Sequence, residues 1–331
     1  MNIRPRRNRR GSAIRAMVQE NRLTVSNLVF PLFMEDGEQI KVEIPSLPGI
    51  YRFSLDLLLN EIAECYELGL RNFILFPKIK DELKDLTGTY GLDPNNYYYK
   101  AAAKIKEHYP DIVLMSDVAL DPYSSLGHDG IVKNGAILND ETVEVLATMS
   151  VLQAEAGFDY LGPSDMMDGR VEAMRIALDE AGYQNTGIIS YTAKYASAFY
   201  GPFRDALDSS PVDVENVPKD KKTYQMNPAN RREALLEADL DLAEGADILM
   251  VKPALNYLDI ISDLKQNFTA PVAAYHVSGE CAMLIAACQN GWLDYKTAMP
   301  ETLMSIHRAG ADIILTYFAK DYAKLMLGKE I

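Results

Sequence analysis

The chain has 331 residues, 48% of them hydrophobic and 24% charged, with a formal net charge of −14 and a pI near 4.8. That composition belongs to a folded globular protein with a large core rather than a disordered one, and its acidity argues against wholesale nucleic-acid binding. No apolar run approaches the roughly 18 residues of a membrane span and the N-terminus lacks the apolar core of a signal peptide, so a cytoplasmic protein that binds no membrane is expected.

Residues 1–24 run against the overall charge. Arg4, Arg6, Arg7, Arg9 and Arg10 form a basic arm without the aromatic interleaving of a nucleic-acid strip. A contact with a second, acidic subunit is expected of it, in preference to a nucleic-acid or membrane tail. From residue 25 to 331 the chain reads as one domain. Glycines at 69, 157, 182, 245 and 310 each end a helical stretch, supplying the left-handed residue that terminates it, and each is followed by a short apolar run. With the further runs at 28–34, 112–120 and 271–277, eight strands are predicted, near-continuously apolar as in a parallel sheet buried on both faces. The spacers are long enough for helical returns. The α/β class is therefore expected, as a (β/α)₈ TIM barrel with an extended N-terminal arm. An open doubly wound sheet is the alternative, but no G-x-G-x-x-G follows a strand. Cys65, Cys281 and Cys288 lack metal-ligand spacing and are expected to be buried thiols.

In such a barrel the C-terminal strand ends carry the chemistry. Those ends bring Asp117 and Asp121, Ser164 and Asp165, Lys194, Lys252, Ser278 and Tyr317 to one mouth. The segment at about 195–225, with Gly201-Pro202, Ser209-Ser210-Pro211 and Pro218, is too long for an ordinary loop and reads as an active-site lid. Lys194 and Lys252 close adjacent buried strands. Either could merely snorkel to solvent, but two amines so placed, with pKa values lowered by burial and by each other, suit Schiff-base chemistry on carbonyl substrates. A one-lysine aldolase is the competing enzyme reading. A barrel serving only assembly or binding is the non-enzymatic one.

Five segments then carry a resemblance: 116–130 (SDVALDPYSSLGHDG), Ser164 to Arg170, Ala198 to Arg204, Met250 to Pro253 and Tyr275 to Glu280. Together they closely resemble the porphobilinogen synthases, also called 5-aminolevulinate dehydratases, and the likeness runs from the arm to the C-terminus. The resemblance implies a lyase of tetrapyrrole biosynthesis that condenses two 5-aminolevulinate molecules into porphobilinogen with loss of two waters. It also implies a homo-octamer built from arm-exchanging dimers. By the same resemblance Lys252 forms the Schiff base with the substrate giving the propionate side, and Lys194 serves the one giving the acetate side. Ser278 and Tyr317 grip the first carboxylate; Arg204, Lys221 and Gln225 grip the second. Tyr200, Phe203, Tyr275 and Asp117 complete the substrate pocket.

The metal pattern departs from part of the family. Zinc-dependent members carry three cysteines where this chain has Ala119, Asp121 and Asp129. Hard oxygens suit Mg²⁺ and soft thiolates suit Zn²⁺, so no catalytic zinc is expected. An ion near Asp121 and Asp129 would be Mg²⁺ or a monovalent cation, with an empty site or two solvated aspartates as the alternatives. The resemblance further implies allosteric Mg²⁺ at Glu237, which by itself reads as an exposed helix residue. No organic cofactor is expected. His276 is expected to make a structural hydrogen bond.

Overall fold

Residues 2–331 are described by a computed structural model. The five helix-ending glycines all adopt positive φ, Gly245 at +108° and Gly310 at +129°, a conformation that a side chain disfavours. The apolar runs form eight strands: β1 Leu28–Glu35, β2 Asn72–Lys78, β3 Val113–Val118, β4 Tyr160–Pro163, β5 Gly187–Lys194, β6 Ile248–Lys252, β7 Val272–His276 and β8 Ile313–Thr316. Each pairs in parallel with the next, and β8 returns to β1 through Leu28↔Ile314 and Val29↔Leu315. The sheet is thus a closed barrel. Helices follow every strand, among them Glu233–Glu244 after β5, Leu258–Asn267 after β6 and Ser278–Gln289 after β7.

The barrel strands are almost wholly buried. Packing on both faces explains their uninterrupted apolar character.

Two hairpins were not anticipated. Lys41–Glu43 pairs antiparallel with Tyr51–Phe53, which extends the sheet beside the end of β1. Its first strand is exposed at all three residues, so no burial pattern betrays it. Ile131–Lys133 pairs with Ala136–Leu138 after β3. Its turn, Asn134 and Gly135, has both residues at positive φ, the two-residue geometry that an Asn-Gly pair favours.

The arm consists of a 3₁₀ turn, Pro5–Arg9, and a short helix, Ser12–Met17, with no buried residue in either. Ile3 is 81% exposed and Met17 73%. Cys65 and Cys281 are buried as expected, whereas Cys288 is only partly so, because it stands near the open end of its helix.

Candidate active site

The last residues of β5 and β6 are register partners, Lys194 beside Lys252. Neither reaches solvent: Lys194 is 6% exposed and Lys252 5%, which removes snorkelling as an account of either. Their surroundings differ. Lys252 Nζ lies among four ring centroids, 4.6 Å from Tyr275, 5.0 Å from Tyr191 and Phe203, and 5.3 Å from Tyr200. Among the described residues its amine has no carboxylate partner within ion-pairing distance. Burial, then the Lys194 charge, pulls it down to about 7. A neutral fraction is therefore present at physiological pH. Lys194 Nζ instead donates to the Ser164 carbonyl and sits 3.2 Å from Asp129 Oδ2.

Asp129 anchors a second lysine. Lys221 Nζ is 2.6 Å from Asp129 Oδ1 and 3.3 Å from Asp121 Oδ2. Burial disfavours the Asp129 carboxylate, yet Lys194 and Lys221 outweigh it and hold the group at about 2. Burial likewise opposes the charge on Lys221, which Asp121 and Asp129 sustain above its usual value. Asp117, nearby on β3, behaves differently. Burial, followed by the Asp121 charge, pushes its carboxyl up to about 7, and its Oδ1 has no hydrogen-bond partner among the described residues.

The segment from 196 to 225 starts and finishes at Lys194. Met226 donates its N–H to the Lys194 carbonyl at 3.0 Å, and Ala196 donates to the Met226 carbonyl at 2.9 Å. Between these points lie the helix Gly201–Leu207 and a stretch without regular structure. The helix carries Phe203 to the mouth, 4.9 Å from Phe76 edge-on and 5.7 Å from Phe33. Phe203 N also donates to Ser278 Oγ at 3.0 Å. Gly279 permits this closeness, since a Cβ there would stand 2.5 Å from the Phe199 carbonyl oxygen. Further along, His128 Nε2 lies 2.8 Å from the Pro218 carbonyl oxygen.

Of the residues singled out from sequence, Lys252, Tyr200, Phe203 and Tyr275 form the aromatic box, with the Tyr275 and Tyr317 hydroxyls 3.2 Å apart. Lys194, Asp129, Lys221 and Asp121 form the neighbouring ionic chain. Ser278 opens the helix after β7 and is buried, as is Gln225; Arg204 is partly exposed on the short helix. Glu237 belongs to neither group. It lines a separate cleft of about 440 Å³ with Asn139, Asp168, Gln225 and Glu233. It is half-buried, not exposed, because that cleft shields it. Burial, with the charges of Asp241, Asp168 and Glu233, pushes its carboxyl to about 7 against the pull of Arg170.

His276 is buried with Nδ1 3.0 Å from Thr316 Oγ1. Sequence reasoning missed Tyr191, whose ring lies within 5.8 Å of Lys194 Nζ as well as beside Lys252. An aromatic three residues before a strand-ending lysine was the available signal. No group of three or more His, Cys, Asp or Glu among the described residues could hold a metal ion.

A family model described as delta-aminolevulinic acid dehydratase matches residues 2–325. Delta-aminolevulinic acid dehydratase of Chlamydia pneumoniae is 52% identical over 98% of this chain and 96% of its own length. The chloroplastic enzyme of that name from Physcomitrium patens is also 52% identical, over the whole of this chain and 76% of its own. A crystal structure of delta-aminolevulinic acid dehydratase (porphobilinogen synthase) from Toxoplasma gondii, in complex with the reaction product porphobilinogen, superposes with a TM-score of 0.96 at 50% identity. That alignment covers 99% of this chain and 92% of the other.

Proposed function

The chain belongs to the delta-aminolevulinic acid dehydratase family, and we infer that it condenses two 5-aminolevulinate molecules into porphobilinogen through Schiff bases on Lys252 and Lys194. The observation that carries this reading is the in-register pair of buried lysines at one barrel mouth. A one-lysine aldolase leaves the second amine without a task.

Lys252, partly neutral near pH 7, attacks the ketone carbon of one substrate, and the ketone oxygen leaves as water when the imine forms. The protonated imine retains the favourable electrostatics of a cation against ring faces. Ser278 Oγ accepts from Phe203 N and so keeps its own O–H proton for that substrate's carboxylate. The paired Tyr275 and Tyr317 hydroxyls supply a further donor. Lys194 takes the ketone of the second substrate, whose carboxylate falls to Arg204 and Gln225. One carbon–carbon and one carbon–nitrogen bond join the substrates, both ketone oxygens depart as water, and both lysines are released. Asp117, with one unpartnered oxygen and a carboxyl near 7, binds a polar group of the substrate and exchanges protons with it.

For the metal, Asp121 and Asp129 are already neutralised by Lys221 and Lys194, and Ala119 supplies no donor. These residues do not fit an additional cation, and no step is routed through one. Glu237 does fit Mg²⁺, which keeps several waters and takes one or two carboxylates. Asp168 and Glu233 line the same cleft without forming with Glu237 a three-carboxylate cage, and Gln225 is shared with the lid segment. Such an ion would neutralise the cleft and steady the lid's final turn. The exposed arm, with Ile3, Met17 and its arginines, supports assembly through arm exchange into an octamer. Among the described residues no helix is long and apolar enough to cross a membrane; a cytoplasmic location is part of the same proposal.

Pyrrole formation from 5-aminolevulinate, measured after EDTA treatment and after return of Mg²⁺ or Zn²⁺, tests the reading. Pyrrole is expected, stimulated by Mg²⁺, with stimulation lost in Glu237→Ala. Failure to form pyrrole overturns the function, and restoration by Zn²⁺ alone overturns the metal assignment.

A further inference from the structure

The ladder between β6 and β7 ends before the site does. Its register pairs are Leu249↔Val272, Met250↔Ala273 and Val251↔Ala274, so Lys252 and Ser278 both lie beyond the last pair. What joins these strand ends is a side chain. Glu280 is fully buried, and its carboxylate accepts the N–H of Leu255 at 2.8 Å, of Ala254 at 3.4 Å and of Val277 at 2.9 Å. The first two donors follow Lys252-Pro253, and the third immediately precedes Ser278. One carboxylate therefore holds the backbone just after the amine and the backbone just before the hydroxyl.

The usual work of an acid at the third position of a helix is to cap its own N-terminus, which the Val277 bond accomplishes. That explains one oxygen. The bonds to Ala254 and Leu255 reach across to the turn after β6, where they meet the free N–H groups at the start of the 3₁₀ turn Leu255–Tyr257, so the same side chain serves two strand ends at once. Bonds from backbone N–H groups to a carboxylate are among the stronger ones a buried site offers, and a rigid link of this kind sets the distance between the groups it joins. The field of the carboxylate is not its contribution: burial, Lys194, Asp117, Asp121 and Asp129 set the Lys252 amine, and Glu280 is not among the principal influences.

We propose that Glu280 is a positioning residue that fixes the spacing between the Lys252 amine and the Ser278 hydroxyl, so that one substrate's ketone and carboxylate are engaged together. The inference rests on the reading that Lys252 and Ser278 serve the same substrate. It assigns Glu280 no contact with that substrate.

Two ketones separate amine reactivity from spacing. Butanone reports the amine alone, whereas 4-oxopentanoate, the substrate skeleton without its amino group, needs amine and carboxylate grip in register. Each would be trapped on Lys252 with borohydride and the adduct read by mass spectrometry. Wild type is expected to favour 4-oxopentanoate, and Ser278→Ala to reduce that preference. Glu280→Gln keeps the volume but sets an amide N–H₂ against a backbone donor; it is expected to lower the preference roughly tenfold or more, the scale on which small misplacements act. Butanone trapping should stay within twofold. Glu280→Asp, which keeps the carboxyl group but falls short of one loop, should likewise lower the preference and spare butanone trapping.

An unchanged preference in either folded variant overturns the proposal, as does an equal loss with both ketones. Failure of both variants to fold would make Glu280 a stability element and also overturn it. If instead wild type shows no preference, or Ser278→Ala leaves it intact, the fault lies in the reading beneath.

Discussion

Replacing Lys194 by methionine tests whether the two amines influence each other as their placement requires. Lys194 and Lys252 stand in register on adjacent strands, and both ammonium nitrogens approach the Tyr191 ring, at 5.8 and 5.0 Å from its centroid. At a separation of roughly 7 Å and an effective dielectric of 20, two unit charges repel by about 2.4 kcal/mol, equivalent to roughly 1.7 pKa units. Asp129, 3.2 Å from Lys194, cancels part of that, leaving about one unit. Burial is the larger cause of the low Lys252 value and survives the substitution. The midpoint should therefore move from about 7 to roughly 8, still well short of an ordinary lysine. A raised amine pKa shifts the neutral form to higher pH, so trapping at pH 7 should fall roughly fivefold and recover as pH rises. Because the proposed reaction also uses Lys194, the assay is borohydride trapping of 4-oxopentanoate on Lys252 across pH 5.5 to about 9.5, the range bracketing both midpoints. An unmoved or lowered midpoint would refute the reasoning.

Two other substitutions bear on the segment proposed as a lid. Gly279→Ala would place a Cβ 2.5 Å from the Phe199 carbonyl oxygen, so the turn carrying Phe203 must shift and the bond to Ser278 lengthen; KM for 5-aminolevulinate should rise severalfold with little change in thermal midpoint. An unchanged KM would show that the contact is not needed. Lys221→Met strips two buried carboxylates of a shared cation, a change of about 3 kcal/mol when one member of a buried pair is lost. Protease cleavage within 209–225 should accelerate at neutral pH, and equal cleavage rates would count against the ion pairs as the lid's anchor. Asp129 is held at about 2 against an unfolded carboxyl near 4, so its share of this stability is full above about pH 4 and fades as pH falls through about 2.

The barrel was legible because its cues are local. A glycine at each of five helix ends and an apolar run behind it state one helix-to-strand junction without reference to distant residues. The Asn134-Gly135 turn was equally local, flanked by Ile-Val-Lys and Ala-Ile-Leu, and was overlooked just beyond a segment read for its aspartates. The lysine pair followed from the barrel rule, since strand ends at one face must share a mouth. The attachment of Lys221 to Asp121 and Asp129 did not follow. Its partners lie 100 and 92 residues away, and the intervening lid has no periodicity that fixes where its side chains point. Glu237 was misjudged for a related reason: its helix pattern is that of an outer face, and the cover comes from residues 222–227. Glu280 sat in a quoted motif, but only the end of the β6–β7 ladder at Val251 and Ala274 reveals what its carboxylate must bridge.

The central claim is that Lys252 carries substrate as an imine while Lys194 carries the second molecule. Borohydride reduction in the presence of 5-aminolevulinate, followed by peptide mass mapping, tests it most directly. The predicted result is a reduced adduct on Lys252, abolished together with pyrrole formation in Lys252→Ala, and a second adduct on Lys194 at high substrate. Undiminished pyrrole formation by Lys252→Ala, or an adduct confined to lysines outside the barrel mouth, would contradict it.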